Sequence, residues 1–152
     1  MVAKELLRKR LRNERKEIGD EERARRSESI ALNCLKFLKD FPKVQHIHVF
    51  LPIKRLYEVN TVPLLRRLFK LEYRVYSSVT LHGSRKMAIV KLTADTVYET
   101  DKLGIPVPKS PEFVIDTKLI DLVFVPLLGV DTLGNRLGYG QGFYDKSLIR
   151  MF

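Results

Sequence analysis

Chemically active side chains are concentrated in one segment near the end of the chain, residues 134–146. This segment contains four glycines, two cations, three aromatic residues and a carboxylate. Glycines at alternate positions leave backbone N–H groups accessible and permit positive φ, so the segment can close around an anion. An apolar run precedes it at 121–128, and a helical pattern follows at 143–152, where a helix N-terminus adds the positive end of its dipole. The pattern predicts a phosphate-binding loop.

Two common phosphate-binding signatures do not fit this segment. The dinucleotide fingerprint requires G-x-G-x-x-G, whereas Gly138, Gly140 and Gly142 are spaced G-x-G-x-G. The Walker pattern G-x-x-x-x-G-K-[ST] has its glycine spacing here, but Asn135 and Arg136 stand where it requires lysine and serine or threonine. A plain glycine-rich turn is the remaining alternative, and such a turn does not need the charged and aromatic residues that accompany these glycines.

The longer segment at 121–145, DLVFVPLLGVDTLGNRLGYGQGFYD, resembles the signature block of the 5-formyltetrahydrofolate cyclo-ligase family, also called methenyltetrahydrofolate synthetase. Two weaker matches agree in order along the chain. Lys4 and Arg8 are similar to a K-x-x-x-R pattern in the family's first helix, and Glu58 with Thr61 is similar to its E-[VI]-x-T segment. The resemblance runs from near residue 4 to the end of the chain.

The resemblance implies an ATP-dependent C–N ligase that converts 5-formyltetrahydrofolate to 5,10-methenyltetrahydrofolate, with release of ADP and phosphate. A formamide carbonyl is a poor electrophile, and its oxygen is a poor leaving group. Transfer of the γ-phosphoryl group of ATP to that oxygen makes an activated phosphate, which the neighbouring N10 amine displaces on ring closure. Such a reaction needs positioning and charge stabilisation more than a protein nucleophile.

The resemblance also implies roles for individual residues. Lys4 and Arg136 are the expected catalytic cations, Asp145 is the expected Mg²⁺ ligand, and Glu58 is expected to hydrogen-bond the pterin. The expected ATP-binding residues are Lys4, Arg8, Gly134, Arg136, Leu137, Gly138, Tyr139, Gly140, Gln141, Gly142, Phe143 and Tyr144. The expected folate-binding residues are Leu51, Glu58, Met87, Tyr139, Gly140, Gln141, Gly142 and Phe143, with strand core as the alternative for Leu51.

Amino-acid composition limits the possible kinds of protein independently of the family resemblance. A chain of 152 residues that is 45% hydrophobic suits one domain, residues 1–152. The single cysteine, Cys34, excludes an intramolecular disulfide, and no apolar stretch has the length of a membrane span, so we expect a soluble cytoplasmic protein that does not bind membranes. The net charge of +10 predicts an anionic partner. Because the excess is dispersed and no DNA or RNA module is present, nucleotides and anionic small molecules are favoured over nucleic acid.

The hydrophobic pattern of the first forty residues predicts two helices. In the first, Leu7, Leu11 and Ile18 form an apolar stripe, and the neighbouring Arg12 and Arg15 are interpreted as a solvent-exposed basic face. The second is expected to begin with Asp20 as its N-cap. Its inward stripe is expected to comprise Ile30, Cys34, Phe37, Leu38 and Phe41.

The rest of the chain alternates between strands and helices. Residues 44–51, 73–81, 87–92 and the run at Leu122 read as strands, and residues 62–69 and 143–152 read as helices, with Leu148, Ile149 and Phe152 inward in the last. A proline-rich linker is expected near residues 106–111. His46 and His48 share one strand face, where a zinc site is a less favoured alternative to packing, because no cysteine or carboxylate completes the set locally and His82 is distant. The order predicts a single α/β layered domain of Rossmann-like topology, with helices flanking a largely parallel sheet.

Two further expectations concern the end of the chain and the competing functions. Family members normally continue with another strand, so we expect that region to be missing and the chain to pair with another copy or be mobile after Asp145, as a monomer or weak homodimer of reduced activity. One alternative function is a non-catalytic RNA-binding domain of the same fold. Another is a sugar-phosphate or CoA-transfer enzyme, which needs a catalytic glutamate where this chain has Asp131 and Asp145.

Overall fold

The computed structural model describes residues 2–81, 86–102 and 104–152. The helices are α1 Val2–Glu17, α2 Asp20–Leu38, α3 Val62–Lys70 and α4 Phe143–Met151. The strands are β1 His46–Val49, β2 Arg74–Thr80, β3 Met87–Leu92, β4 Tyr98–Thr100, β5 Pro106–Pro108, β6 Glu112–Val114, β7 Leu122–Phe124, β8 Gly129–Val130 and β9 Arg136–Leu137. Short 3₁₀ turns occur at Lys54–Leu56 and Thr117–Leu119.

Five strands form the central sheet in the order β6-β3-β2-β1-β7. Strand β1 pairs in parallel with β2 and with β7, whereas β3 pairs antiparallel with β2 and with β6. Strand β6 therefore runs in the same direction as β2, and β3 alone opposes the other strands of this sheet. The predicted α/β fold with a largely parallel sheet is confirmed. The pairs β4–β5 and β8–β9 lie outside the sheet.

Helices cover both faces of the sheet. The alternation in β1 predicts one apolar face, and the register confirms it, because Ile47 lies opposite Val75 and Leu122, and Val75 lies opposite Leu92. Helices α2 and α3 cover this face, and the buried cluster comprises Ala31, Leu38, Ile47, Val49, Leu64, Leu65, Leu68, Val75, Val79, Val90 and Leu92. Helix α4 covers part of the second face with a smaller cluster of Tyr76, Ile89, Ile120 and Met151.

The predicted inward stripe of α2 is only partly correct. Leu38 is buried as predicted, whereas Ile30, Phe37 and Phe41 are exposed, and the other buried positions of the helix are Ser27 and Ala31. Residues spaced by four and seven lie on the same helix face, so this set is an equally regular stripe. The expected capping role of Asp20 is also wrong, because Gly19 is the N-cap and makes no side-chain hydrogen bond. Cys34 is partly buried against the core, as expected.

The predicted inward face of α4 is confirmed for Leu148 and wrong for Ile149 and Phe152. Ile149 is 81% exposed and Phe152 is 74% exposed, whereas Ser147 and Met151 are buried and Leu148 packs against the smaller cluster. Ser147, Leu148 and Met151 recur at helical spacing, and they turn Ile149 toward solvent. The helix therefore packs on the sheet through Leu148, which the prediction included, and through Met151, which it did not.

The proline-rich segment is not a plain linker. Strand β5 pairs antiparallel with β4, and β6 forms an edge of the central sheet beside β3. Proline cannot donate to a strand ladder, so it is tolerated in a short two-stranded pair of this kind. Among the helices of the described chain, none combines the length and apolar character required to cross a membrane.

Candidate active site at the carboxyl edge of the sheet

The segments that carry the predicted site residues meet at one edge of the sheet. Parallel strands β1 and β7 end at this edge; Glu58 follows β1, and the glycine loop, defined here as residues 138–142, follows β7. Strand β3 runs the other way and begins at the same edge, where Met87 lies opposite Thr80 of β2. Open α/β sheets bind ligands outside the carboxyl ends of their parallel strands. The topology therefore brings the predicted nucleotide and folate residues to one side of the molecule.

A small hairpin separates β7 from the glycine loop. Strand β8 pairs with β9, and the Asp131 carboxylate closes the turn by accepting hydrogen bonds from the N–H groups of Leu133 and Asn135 at 2.9 and 2.8 Å. Gly134 adopts a φ of +83° in this turn. The structure thus places Gly134 in the hairpin turn, which strand β9 separates from the glycine loop, although the sequence groups it with the other glycines.

The glycine loop exposes a row of backbone donors. Gly140 and Gly142 have φ values of +95° and +68°, which L-residues with side chains rarely adopt. Within the described part of the chain, the N–H groups of residues 139–145 have no hydrogen-bond acceptor. Helix α4 begins directly after Gly142, without a side-chain cap, so its dipole adds positive potential at the same place. This geometry suits a phosphate or another anion.

Helix α1 supplies cations beside this row of donors. The Arg8 Nε group donates to the Gly138 carbonyl at 3.0 Å, and Arg8 also pairs with Glu5. A Cβ atom built on Gly140 would lie 3.3 Å from the Arg8 Cζ atom, so the guanidinium packs directly on the loop. Lys4 joins Arg8 in lining the adjacent surface groove. The lining residues of that groove are Lys4, Glu5, Leu6, Arg8, Lys9, Arg12 and Gly140.

Arg136 and Asp145 form an ion pair with each other. The sequence assigns the first to phosphate and the second to Mg²⁺, and it gives no sign that the two side chains meet. The Asp145 side chain is 68% exposed, and exposed pairs of this kind contribute about 0–1 kcal/mol to stability. A Cβ atom on Gly138 would lie 3.9 Å from Arg136 Nη1, which places this guanidinium beside the glycine loop. The pair can therefore open toward a phosphate at little energetic cost.

Glu58 is a buried carboxylate at the inner end of the site. It is 7% exposed, and it accepts a hydrogen bond from the Ile53 N–H group at 2.7 Å. Burial raises its pKa, while the Ile53 N–H group, the Tyr139 hydroxyl and the charges of Arg15 and Arg55 oppose that increase. Burial and the nearby Glu58 charge together raise the pKa of Tyr139, so the phenol and the carboxylate interact electrostatically. The predicted folate carboxylate is thus close to a side chain of the predicted nucleotide loop.

The interpretation of Arg15 as a solvent-exposed charge is wrong. Its Nη1 group donates to the Tyr139 hydroxyl and its Nη2 group to the Leu127 carbonyl, each at 2.6 Å. Arg12 is exposed and donates to the Tyr139 carbonyl at 3.2 Å. Arg8, Arg12 and Arg15 are spaced by four and three residues, so they share the helix face that already carried the predicted phosphate ligand Arg8. That spacing is the feature of the sequence from which the role of Arg15 at the site could have been predicted.

Two histidines of β1 are engaged with neighbouring side chains. His46 lies 2.9 Å from the Tyr76 hydroxyl, and His48 lies 2.7 Å from the Ser78 hydroxyl. His48 is completely buried, and burial lowers its pKa to about 4. The Tyr144 ring meets His48 edge-on with centroids 5.9 Å apart. In the described ranges no group of three or more histidine, cysteine or acidic side chains is arranged to hold a metal, and His82 lies outside those ranges.

The other predicted ligand residues occupy varied positions. Leu51 is half-buried against the main core, and Met87 is half-buried at the start of β3. Leu137 pairs with Gly129 in the hairpin. Gln141 is exposed in the glycine loop, and Phe143 is half-buried at the first turn of α4. All five belong to segments next to the groove or at the carboxyl edge of the sheet.

Comparison with curated proteins finds several 5-formyltetrahydrofolate cyclo-ligases that are similar to this chain. The 5-formyltetrahydrofolate cyclo-ligase of Haemophilus influenzae is 35% identical over 94 residues, a match that covers 60% of this chain and 50% of the relative. The Mus musculus 5-formyltetrahydrofolate cyclo-ligase is 28% identical over 159 residues, which covers 97% of this chain and 74% of the relative. The matched region thus spans about half of the bacterial relative and about three quarters of the mouse one.

Solved structures agree with these relatives. An NMR structure of Aquifex aeolicus 5,10-methenyltetrahydrofolate synthetase superposes with a TM-score of 0.78 at 31% identity, covering 97% of this chain and 72% of that one. A 5,10-methenyltetrahydrofolate synthetase from Mycoplasma pneumoniae has a TM-score of 0.74 at 21% identity and covers 97% and 77%, so it supports the fold. A family model extends the similarity over residues 1–151, and the chain therefore belongs to the 5-formyltetrahydrofolate cyclo-ligase family.

Proposed function

We propose that this chain catalyses the ATP-dependent cyclisation of 5-formyltetrahydrofolate to 5,10-methenyltetrahydrofolate, with release of ADP and phosphate. The observation that carries the proposal is the proximity of the glycine loop to Glu58. Gly140 lines the same groove as Lys4 and Arg8, the N–H groups of residues 139–145 have no hydrogen-bond acceptor among the described residues, and Tyr139 interacts electrostatically with the buried carboxylate. An anion site and a buried hydrogen-bond acceptor are thus adjacent, as a reaction between a triphosphate and a pterin requires.

The nucleotide would bind along α1 and the glycine loop. Lys4 and Arg8 line the groove, and the loop N–H groups and the start of α4 would receive the phosphates. Arg136 would exchange the Asp145 carboxylate for phosphate oxygens, which its planar guanidinium can bind in a bidentate manner. With Lys4, it would stabilise the negative charge that spreads over the transferred phosphoryl group.

The residues present are suited to hold a Mg²⁺ ion that is bound together with a nucleotide. One exposed carboxylate beside a phosphate site is sufficient, because Mg²⁺ commonly takes its other oxygens from phosphates and water. Asp145 would hold the ion after its guanidinium partner turns to the phosphates. When bound, Mg²⁺ would neutralise charge on the phosphate oxygens. The chain's own contribution is to present the carboxylate next to the loop donors.

The folate would occupy the inner part of the site. Glu58 would accept hydrogen bonds from the amidine edge of the pterin, and Leu51 and Met87 would contribute apolar contacts at the same sheet edge. Tyr139 and Phe143 would line the space between the pterin and the phosphates. This arrangement would direct the formyl oxygen toward the γ-phosphoryl group and exclude water from the activated phosphate.

The proposal is tested by incubating the protein with 5-formyltetrahydrofolate and Mg-ATP while the ultraviolet absorbance of the methenyl product is followed. We expect product to appear with an equal amount of ADP. Omission of ATP is the matched control. A folded protein that binds neither ATP nor the folate, and forms no product, would refute the proposal.

We expect Glu58→Gln to weaken 5-formyltetrahydrofolate binding about ten- to hundredfold, because a hydrogen bond to a charged group is worth about 1.5–3 kcal/mol. Affinity for ATP should change little, since the loop N–H groups and the α1 cations remain. Calorimetric titration with each ligand measures both effects. A loss of ATP affinity with unchanged folate affinity would show that Glu58 is assigned to the wrong ligand.

We expect Arg136→Ala to lower ATP affinity about tenfold or more, because a charge-assisted phosphate contact is lost. Arg10→Ala is the matched control, since the Arg10 side chain is exposed on α1 and pairs with Glu14. Titrations at several salt concentrations also address the RNA-binding alternative. RNA affinity that falls steeply with salt and responds equally to both substitutions would favour that alternative.

We also propose that the protein acts in the cytoplasm as a monomer or weak homodimer. The single cysteine suits a reducing compartment. Ile149 and Phe152 are exposed apolar side chains near the end of α4, and they would be covered in a weak dimer that uses this helix. Nucleic acid is not part of the proposed function.

A further inference from the structure

Arg15 joins three segments that are far apart in the sequence. It lies on α1, and its two terminal nitrogens donate to the Tyr139 hydroxyl and the Leu127 carbonyl. Leu127 precedes the β8–β9 hairpin, and Tyr139 follows it, so one guanidinium holds both ends of the hairpin. Leu11 of the same helix packs closely on Gly129 at the start of β8. The planar fork of arginine fixes two acceptors at once, which a lysine ammonium on a flexible stem does less well.

Tyr139 continues this connection to Glu58. Its hydroxyl accepts a hydrogen bond from Arg15 at 2.6 Å and interacts electrostatically with the Glu58 carboxylate, whose charge helps to raise the pKa of Tyr139. A cation, a phenol and a buried carboxylate therefore lie next to one another. The charged and titratable groups that face Glu58 are Arg15 from α1, Arg55 from the 3₁₀ turn, Tyr139 from the glycine loop and Tyr144 from α4.

We infer that Arg15 is a positioning residue that couples the two ligand sites through Tyr139. The inference rests on the proposed function. Tyr139 belongs to the glycine loop through its backbone and to the Glu58 site through its hydroxyl. A nucleotide that orders the loop also fixes the hydroxyl, and a folate that orders Glu58 also fixes the loop. Each ligand therefore strengthens the binding of the other by the same factor.

The coupling is measured as the affinity for 5-formyltetrahydrofolate with and without ADP, a nucleotide that cannot drive turnover. We expect ADP to tighten folate binding by about fivefold or more in the unsubstituted protein. Arg15→Gln should reduce that factor to about one, and Arg15→Lys should retain part of it. Arg10→Gln is the matched control on the same helix and should leave it unchanged. An unchanged coupling factor in Arg15→Gln would overturn the inference.

A double-mutant cycle with Tyr139→Phe tests whether Arg15 acts through the phenol. If it does, Arg15→Gln has little further effect on folate affinity once the hydroxyl is absent. Additive effects of the two substitutions would show that Arg15 acts by another route. The cycle remains informative if Arg15→Gln folds poorly, because Arg15→Lys can replace it.

A ligand-free measurement separates this inference from the proposed function. NMR titration of the Glu58 carboxyl should give a higher pKa in Arg15→Gln than in Arg10→Gln, because the nearby positive charge is removed. Binding and turnover without coupling, and without this pKa increase, would refute the inference alone. Failure of the unsubstituted protein to bind either ligand would refute the proposed function and the coupling together, even if the carboxyl pKa responds.

Discussion

We expect Gly140→Val to lower nucleotide affinity by about two orders of magnitude or more while the protein remains folded. Valine cannot adopt a φ near +95° without strain, and its Cβ atom would approach the Arg8 guanidinium to 3.3 Å. The substitution therefore disturbs the row of loop donors and Arg8, the cation proposed to bind phosphate, together. Because Gly140 is exposed and outside both core clusters, the free energy of unfolding should change little. Calorimetric titration with ADP and thermal unfolding measure the two quantities.

Gly138→Ala is the matched control for this prediction. The Gly138 backbone does not have a positive φ, and a Cβ atom there would lie 3.9 Å from Arg136 Nη1, an ordinary contact distance. Its carbonyl can still accept from Arg8. We expect a much smaller loss of ADP affinity. Equal losses in the two variants, or full affinity in a folded Gly140→Val protein, would exclude the loop as the phosphate site.

We expect the free energy of unfolding to fall by about 3 kcal/mol as the pH decreases from about 6.5 to about 4, through His48 alone. Burial lowers the folded-state pKa of this residue to about 4, whereas the ordinary value is 6.5. The unfolded chain therefore binds a proton in this interval that the folded chain does not. The contribution is fully present above pH 6.5 and lost as the pH approaches 4. Urea unfolding at a series of pH values measures it.

The control for the histidine is His48→Gln, which keeps a polar side chain beside Ser78 but does not titrate. The variant should be less stable near pH 7, because a buried side chain has been replaced. Its stability should also fall less steeply between pH 6.5 and 4 than that of the unsubstituted protein. Parallel stability curves for the two proteins would assign the acid sensitivity to other groups.

The sequence was sufficient for the four helices, for strands β1, β2, β3 and β7, and for the segments that form the proposed site, but it did not predict the short strands β4, β5, β6, β8 and β9. Alternation in β1 and the dense glycine block depend on local patterns, and the structure confirms the strand and places the block at the predicted edge. The orientation of α4 could not be predicted from local sequence patterns. Met151 and Ile149 are both apolar, and the sheet that selects Met151 for burial is made by residues distant in the chain.

Contacts between charged residues that are distant in the sequence were the hardest part of the site to predict. The sequence suggested phosphate as the partner of Arg136 and Mg²⁺ as the partner of Asp145. Their ion pair with each other follows from the way the hairpin returns to α4. Arg15 is one of many cations on α1, and its partners Leu127 and Tyr139 lie more than a hundred positions away. Local patterns identify the chemical groups, but the fold decides which of them meet.

The contact between Arg8 and Gly138 spans 130 positions, nearly the whole chain. During synthesis, α2, α3, β1 and β2 emerge together and can bury their shared apolar face while the glycine loop is still untranslated. The proposed nucleotide site has no such early stage, because Arg8 and the glycine loop are separated by 130 positions. A nascent chain would thus bury this apolar face before the proposed site is complete.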